Sequence, residues 1–143
     1  MSVPGEARAG FGEMQLLHDA LFEAFNQRAW KRFYSLFTAD LVVATDPAWP
    51  GGGEYRGREE FERFISQFLE PWEELRYEPA GEPFAVNGRL IQRGTWVARG
   101  RTTGIPGTLE FSVVTTVRDG LIARGDFFLS ERDAVEFAQR APT

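Results

Sequence analysis

Three side chains in this sequence are of the kinds that transfer protons or bind oxygen, and the first is Asp46. It follows the apolar run 41–45 and precedes Pro47, so its carboxylate lies where a predicted strand meets a loop. A carboxylate among aromatic side chains has a raised pKa and can act as a general base. At a strand end the same oxygens can instead accept backbone N–H groups and form a turn. Both interpretations of Asp46 are open.

The other two are His18 and Arg93. His18 is the one histidine of the chain, and a helix would place it on the same face as Phe22, one turn later. There it can be a second acid or base, or a surface or hydrogen-bonded residue without a catalytic role. Arg93 shares one face of a predicted strand with Thr95. On a concave face its guanidinium would bind an anionic or carbonyl oxygen, and on a convex face it would be solvated or part of a dimer contact. We expect the concave face.

Composition and charge exclude several classes of function. The chain of 143 residues has a net charge of −5 with both signs interspersed, so nucleic acid is not an expected partner. No apolar stretch approaches the roughly 18 residues of a membrane span, and the first ten residues do not resemble a signal peptide, so we expect a cytoplasmic protein without membrane contact. The absence of cysteine and the single histidine exclude thiolate and multi-histidine metal sites, and we expect no metal and no cofactor.

The elements that must position these side chains follow from apolar spacing. Steps of three and four residues predict helices over 11–27, 30–37, 59–69 and 131–140, and alternation predicts strands over 41–45, 75–77, 84–86, 90–103, 109–117 and 121–129. Asn87-Gly88 is typical of a tight hairpin turn. This order predicts an α+β fold, in which a curved sheet and three N-terminal helices enclose a concave space and a short helix ends the domain. We expect one domain over 11–140, with flexible tails at 1–10 and 141–143.

Five segments of the sequence carry a family resemblance: 36–40, 55–61, 99–104, 117–122 and 130–136. They resemble the SnoaL-like branch of the nuclear transport factor 2-like, ketosteroid isomerase-like superfamily. The resemblance implies a cone-shaped antiparallel or mixed sheet, an apolar cavity and often a homodimer through the open sheet face. It also implies a cofactor-independent acid/base isomerase or cyclase that acts on an apolar carbonyl compound of polyketide, terpenoid or steroid type, or else a non-catalytic ligand-binding or dimerisation module of the same fold.

The resemblance extends to some catalytic positions of the family and not to others. Asp46-Pro47 is similar to the Asp-Pro pair that carries the base of ketosteroid isomerases, although an ungapped alignment puts Thr45 at that position. The two oxyanion-hole residues of ketosteroid isomerases align with Phe22 and Val113, whose side chains cannot donate a hydrogen bond. The acid that limonene epoxide hydrolase uses on its last strand falls on Phe127.

These considerations give the predicted site. The catalytic candidates are Asp46 as the base and His18 or Arg93 as the polarising or proton-donating group. Trp49 and Tyr55 flank the Gly-rich loop and can form a pocket lid or simply pack beneath the loop. The predicted substrate-binding residues are Phe22, Trp49, Tyr55, Thr95, Val113 and Phe127. Arg124 and Asp126 share a strand face and are expected to be a solvated or interface ion pair.

Overall fold

The computed structural model of the chain describes residues 10–49, 52–102, 104 and 106–142. Parts of the predicted tails, residues 1–9 and 143, lie outside the described residues, as do 50, 51, 103 and 105. The elements in chain order are α1 Phe11–Asn26, α2 Trp30–Ser35, β1 Phe37–Thr45, β2 Glu54–Arg56, α3 Gly57–Leu69, β3 Trp72–Val86, β4 Arg89–Gly100, β5 Pro106–Arg118, β6 Leu121–Phe128 and α4 Glu131–Arg140.

The four predicted helices are present, and their apolar spacing explains which face each one buries. In α1 the buried residues include Met14, Leu21 and Phe25, which recur at helical intervals. The last helix, α4, starts at a side-chain cap, because the Ser130 hydroxyl accepts the backbone N–H of Asp133 at 3.1 Å. None of the described helices is long and apolar enough to span a lipid bilayer.

The six strands form one mixed, curved sheet in the order β2-β1-β6-β5-β4-β3. All neighbours are antiparallel except β1 and β6, which pair in parallel. The turn between β3 and β4 has positive φ at Asn87 (52°) and Gly88 (75°), the conformation that favours these residue types in a two-residue hairpin. The predicted α+β fold with a curved sheet and a short final helix is confirmed.

The strands differ most from the prediction at β1, β2 and β3, whereas the ends of β4, β5 and β6 differ by at most three residues. β1 begins at Phe37, because the carbonyl of Leu36 accepts the N–H of Ile122 and Phe37 then pairs with Ile122. The short strand β2 is not predicted by alternation. β3 is one strand of 15 residues rather than two short ones, and it has an irregular register between Ala80 and Phe84.

The two faces of the sheet carry different layers. The concave face packs against α1–α3 and holds the main core, which is rich in Phe, Tyr and Trp. The convex face packs against α4 through a smaller apolar cluster that includes Ile91, Val114, Ala134 and Ala138. A side chain therefore faces the cone or α4 according to its parity in the strand.

Candidate functional site

The concave face encloses a cavity of about 50 Å³ between α1, α3 and the sheet. A water molecule needs at least about 10–15 Å³ of such a volume, so the aromatic side chains of the cone leave room for only a few water molecules. Among the described residues that line the cavity, Thr45 and Thr115 carry the only hydroxyl groups and none is charged. The other lining side chains are chiefly aromatic and aliphatic, and they include Phe22, Trp49, Phe68, Trp96, Val113 and Phe127.

A larger groove of about 330 Å³ lies beside this cavity, near the end of α3 and the adjoining parts of β3, β4 and β5. Its described walls include Tyr55, Trp72, Ala98 and Leu109, and none of them is charged. Phe64, Phe68 and Trp96 line both the cavity and the groove, and we refer to these three residues as the partition.

Ring contacts fix the partition against the sheet. Phe68 meets Trp96 edge-on with ring centroids 5.4 Å apart. Trp96 is stacked on Phe111 at 5.3 Å with an interplanar angle of 17°, and Trp49 meets the same Phe111 ring edge-on at 5.7 Å. These geometries are the ones that aromatic pairs prefer. Both indoles thus contact the same phenyl ring, that of Phe111.

Five of the six predicted substrate-binding residues lie on the concave side. Phe22, Trp49, Val113 and Phe127 line the cavity, and Tyr55 lines the groove. Trp49 is buried, with 4% of its surface exposed, and it forms a cavity wall in contact with Phe111 and Phe127. Their contact with a substrate stays a prediction.

Asp46 lies at the rim and not among the residues that line the cavity; its neighbour Thr45 faces inward. The Asp46 carboxylate accepts the backbone N–H of Ala48 at 2.9 Å, and the main-chain carbonyl oxygen of Asp46 accepts the N–H of Trp49 at 2.8 Å. This is the turn geometry weighed in the sequence analysis. The catalytic role of Asp46 stays a prediction.

A glycine closes the loop against this turn. A side chain at Gly52 would place its Cβ 2.8 Å from the Asp46 carbonyl oxygen and 2.9 Å from that of Trp49. The N–H of Gly53 donates to the Thr45 hydroxyl at 2.8 Å. Because Gly52 has no side chain, its backbone can approach the Asp46 turn this closely, and the hydrogen bond from the Gly53 N–H attaches residues 52 and 53 to the end of β1.

His18 is buried in α1, with its ring centroid 4.8 Å from that of Phe22. Its Nε2 shares a hydrogen bond of 3.0 Å with the Tyr77 hydroxyl, and the Phe22 ring is stacked on Tyr77 at 3.8 Å. Burial lowers the pKa of His18 to about 4, so the imidazole is neutral at neutral pH. Burial, with a smaller contribution from the charge of Asp19, raises the pKa of the Tyr77 hydroxyl. His18 lines neither the cavity nor the groove.

Tyr77 was not predicted as part of the site, although Leu75 and Tyr77 alternate with charged residues, a pattern typical of a strand with one buried face. The ring lies across Gly94 of the neighbouring strand, where a Cβ would overlap the Tyr77 ring and stand 2.9 Å from Phe111. Gly94 thus provides the space that Tyr77 needs to reach His18.

The expectation that Arg93 and Thr95 face the pocket is wrong. The pairing of β4 with β5 directs Gln92, Gly94 and Trp96 to the concave side, so Arg93 and Thr95 point to the convex side. The Arg93 side chain is 55% exposed, and its Nε lies 3.8 Å from the carboxylate of Glu131 in α4. The structure therefore does not bring Asp46, His18 and Arg93 together.

The convex face holds the ion pair of Arg124 and Asp126, which was expected to be solvated or at an interface; Asp126 is buried and Arg124 is about one third exposed (34%). Arg124 donates from Nε and Nη2 to the Asp126 carboxylate at 2.8 and 2.9 Å, and the Asp126 side chain is only 3% exposed. Burial raises the pKa of Asp126, opposed by the hydrogen bonds from Arg124. This pair lies on the side of the sheet away from the cavity.

Known proteins with this architecture are similar in fold and distant in sequence. The structure of TerC co-crystallised with polyporic acid has a TM-score of 0.73 and 19% identity, with 89% of this chain and 98% of that chain covered. A putative polyketide cyclase from Xanthomonas campestris pv. campestris gives 0.67 and 20%, with coverages of 89% and 97%. A putative isomerase from Bacillus subtilis gives 0.69 and 17%, with coverages of 82% and 86%. At these identities the likeness shows the fold.

Among curated proteins there is no significant match. The SnoaL-like domain matches residues 18–125, from the buried histidine of α1 to the middle of β6. This range includes the partition and most of the cavity wall. Because it spans well over half of the 143 residues, the chain belongs to the SnoaL-like domain family.

Proposed function

We propose that this SnoaL-like domain binds a small, flat, apolar molecule on its concave face, of the polyketide or terpenoid type. The observation that carries the proposal is the partition: among the described residues, Phe64, Phe68 and Trp96 alone are shared by the cavity and the groove. Phe68 is partly exposed, and we propose that a ligand displaces its ring and so extends from the groove into the cavity. The groove of about 330 Å³ falls within the range of small-molecule sites.

The chemistry of the walls favours a neutral ligand. No charged side chain lines either space among the described residues. A charged group placed there would lose its hydration without a compensating partner. Flat apolar rings can instead stack against Phe68 and Trp96. The co-crystallisation of TerC with polyporic acid and the name of the putative Xanthomonas polyketide cyclase support a small organic ligand on this fold, although an acid does not itself support a neutral one.

Filling the groove tests this proposal. Ala98 is 8% exposed and lines the groove, whereas Ala85 is an exposed residue of β3 outside it. Titration calorimetry with fluorene should show binding to the wild type, a loss of at least about tenfold in affinity in Ala98→Phe, and no change in Ala85→Phe. Thermal unfolding would establish that both variants are folded. Equal affinities in all three proteins, or no binding to the wild type, would contradict the proposal.

Acid/base catalysis on a carbonyl compound is the second candidate, and the position of Asp46 favours it. Asp46 does not itself line the cavity, but it directly follows Thr45, which does, and so lies at the end of β1 next to the proposed site. A base there could remove a proton next to a ketone. The role of His18 as the polarising or proton-donating group remains a prediction. A homodimer through the convex sheet face also remains a prediction, and α4 covers part of that face.

Deuterium exchange measures this chemistry without a known substrate. We expect the wild type to accelerate exchange at the α-carbon of 2-tetralone in D₂O, followed by NMR, and Asp46→Asn to lose the acceleration. The amide oxygen of Asn can still accept the N–H of Ala48, so the free energy of unfolding should change little. A variant that is less stable but exchanges at the wild-type rate would make Asp46 a structural residue only.

A further inference from the structure

We propose that the indole N–H groups of Trp49 and Trp96 select a ligand that carries a carbonyl oxygen. The proposal rests on the proposed function, because it names the chemical feature that the concave site would recognise. It also gives the site the hydrogen-bond donors that Phe22 and Val113 cannot supply.

Both indoles are buried, with 4% of Trp49 and 5% of Trp96 exposed, and both line the cavity. Neither Nε1 has a hydrogen-bond partner among the described residues. A buried N–H that has lost water without gaining an acceptor is energetically costly. A ligand oxygen that reached either indole would remove this cost, and an all-hydrocarbon ligand would not.

The two donors belong to one part of the site. Phe111 contacts both indoles, and Phe68 lies against both, with ring centroids 5.4 Å from Trp96 and 6.5 Å from Trp49. A ligand that displaces Phe68 would therefore come next to both indoles. Trp96 also lines the outer groove, which places its indole on the route between the two spaces.

The remaining buried polar atoms without a partner do not share this position. They belong to His18, Thr38 and Thr116, and none of these residues lines the cavity or the groove. Within the part of the chain that the structure describes, the two indole N–H groups are thus the buried unpartnered donors that belong to residues lining the proposed site.

A matched pair of probes tests the selection. Fluorene and 9-fluorenone are flat tricyclic molecules that differ mainly by one carbonyl oxygen. Because water solvates the ketone better than the hydrocarbon, the informative quantity is the ratio of their dissociation constants, compared between proteins by titration calorimetry. The proteins are the wild type, Trp49→Phe, Trp96→Phe and the control Trp30→Phe, whose residue lines neither space.

We expect each of Trp49→Phe and Trp96→Phe to reduce the preference for 9-fluorenone about three- to tenfold, the net effect of one hydrogen bond. Trp30→Phe should leave the preference unchanged. In the wild type, 9-fluorenone but not fluorene should move the Nε1–H NMR signals of Trp49 and Trp96 downfield. The Trp30 signal provides an internal reference, so the NMR result does not depend on the variants being folded.

The outcomes separate this proposal from the proposed function. If both probes bind but the preference and the indole signals do not depend on the carbonyl, the selection by indoles is overturned and the binding site stands. If only one indole responds, the assignment of the other is overturned. If neither probe binds to the wild type, the proposed function fails and the selection fails with it.

Discussion

The buried His18 should make the fold sensitive to mild acid. Burial in the helical layer lowers its pKa to about 4, whereas a histidine in an unfolded chain has a pKa of about 6.5. As the pH falls below about 6.5, the unfolded chain takes up a proton that the folded chain does not. The contribution of neutral His18 is therefore complete above that pH and is lost progressively as the pH falls towards 4.

The size of the effect follows from the two pKa values. Their difference corresponds to about 3 kcal/mol in total, and about 2 kcal/mol of this is expected between pH 7.5 and about pH 5. Urea unfolding of the wild type at these two pH values measures the loss directly.

His18→Gln is the matched control. Glutamine can still form a hydrogen bond with the Tyr77 hydroxyl, but it does not titrate. The nearby Asp19, whose pKa burial raises, and all other carboxylates are present in both proteins, so their contributions cancel in the comparison. We expect the wild type to lose about 2 kcal/mol more than His18→Gln over this range. Equal losses in the two proteins would refute the assignment of a buried, neutral His18.

Two further predictions concern stability. Gly94→Ala should lower the free energy of unfolding by about 1–3 kcal/mol in urea titration, because the new methyl group overlaps the Tyr77 ring. The control Gly107→Ala should be tolerated, because no atom lies near the Cβ that it adds. Equal effects of the two substitutions would contradict this packing of Tyr77 against Gly94. Arg124→Leu should cost about 3 kcal/mol at neutral pH by leaving the Asp126 carboxylate buried without its partner, and less at acidic pH. Arg118→Leu, which removes an exposed ion pair, should change the unfolding midpoint little, and a similar loss in both variants would contradict the burial argument.

Local patterns predicted the elements well where one physical signal dominates. The spacing of Phe61, Phe64 and Ile65 indicates the buried face of α3. The Asn87-Gly88 pair indicates the hairpin because both residues tolerate positive φ. The parallel pairing of β1 with β6 joins strands far apart in sequence, so no local pattern reports it.

The site was predicted less well, because strand alternation groups side chains without saying which group faces the cone. Arg93 and Thr95 were correctly placed on one face, but the convex identity of that face depends on α4 and on the Tyr77 ring lying across Gly94. Similarly, the strand pattern alone did not show that Thr45, and not Asp46, lines the cavity. These outcomes depend on packing between elements that are distant in the chain.

The most direct test of the binding site is a crystal structure of the protein with 9-fluorenone. We expect the tricyclic ring on the concave face, in contact with Phe68 and Trp96, with Phe68 rotated away from its position in the partition. The ketone oxygen should lie within hydrogen-bonding distance of an indole Nε1. A ligand bound on the convex face, or a partition that stays closed while the ligand occupies another surface, would contradict the account.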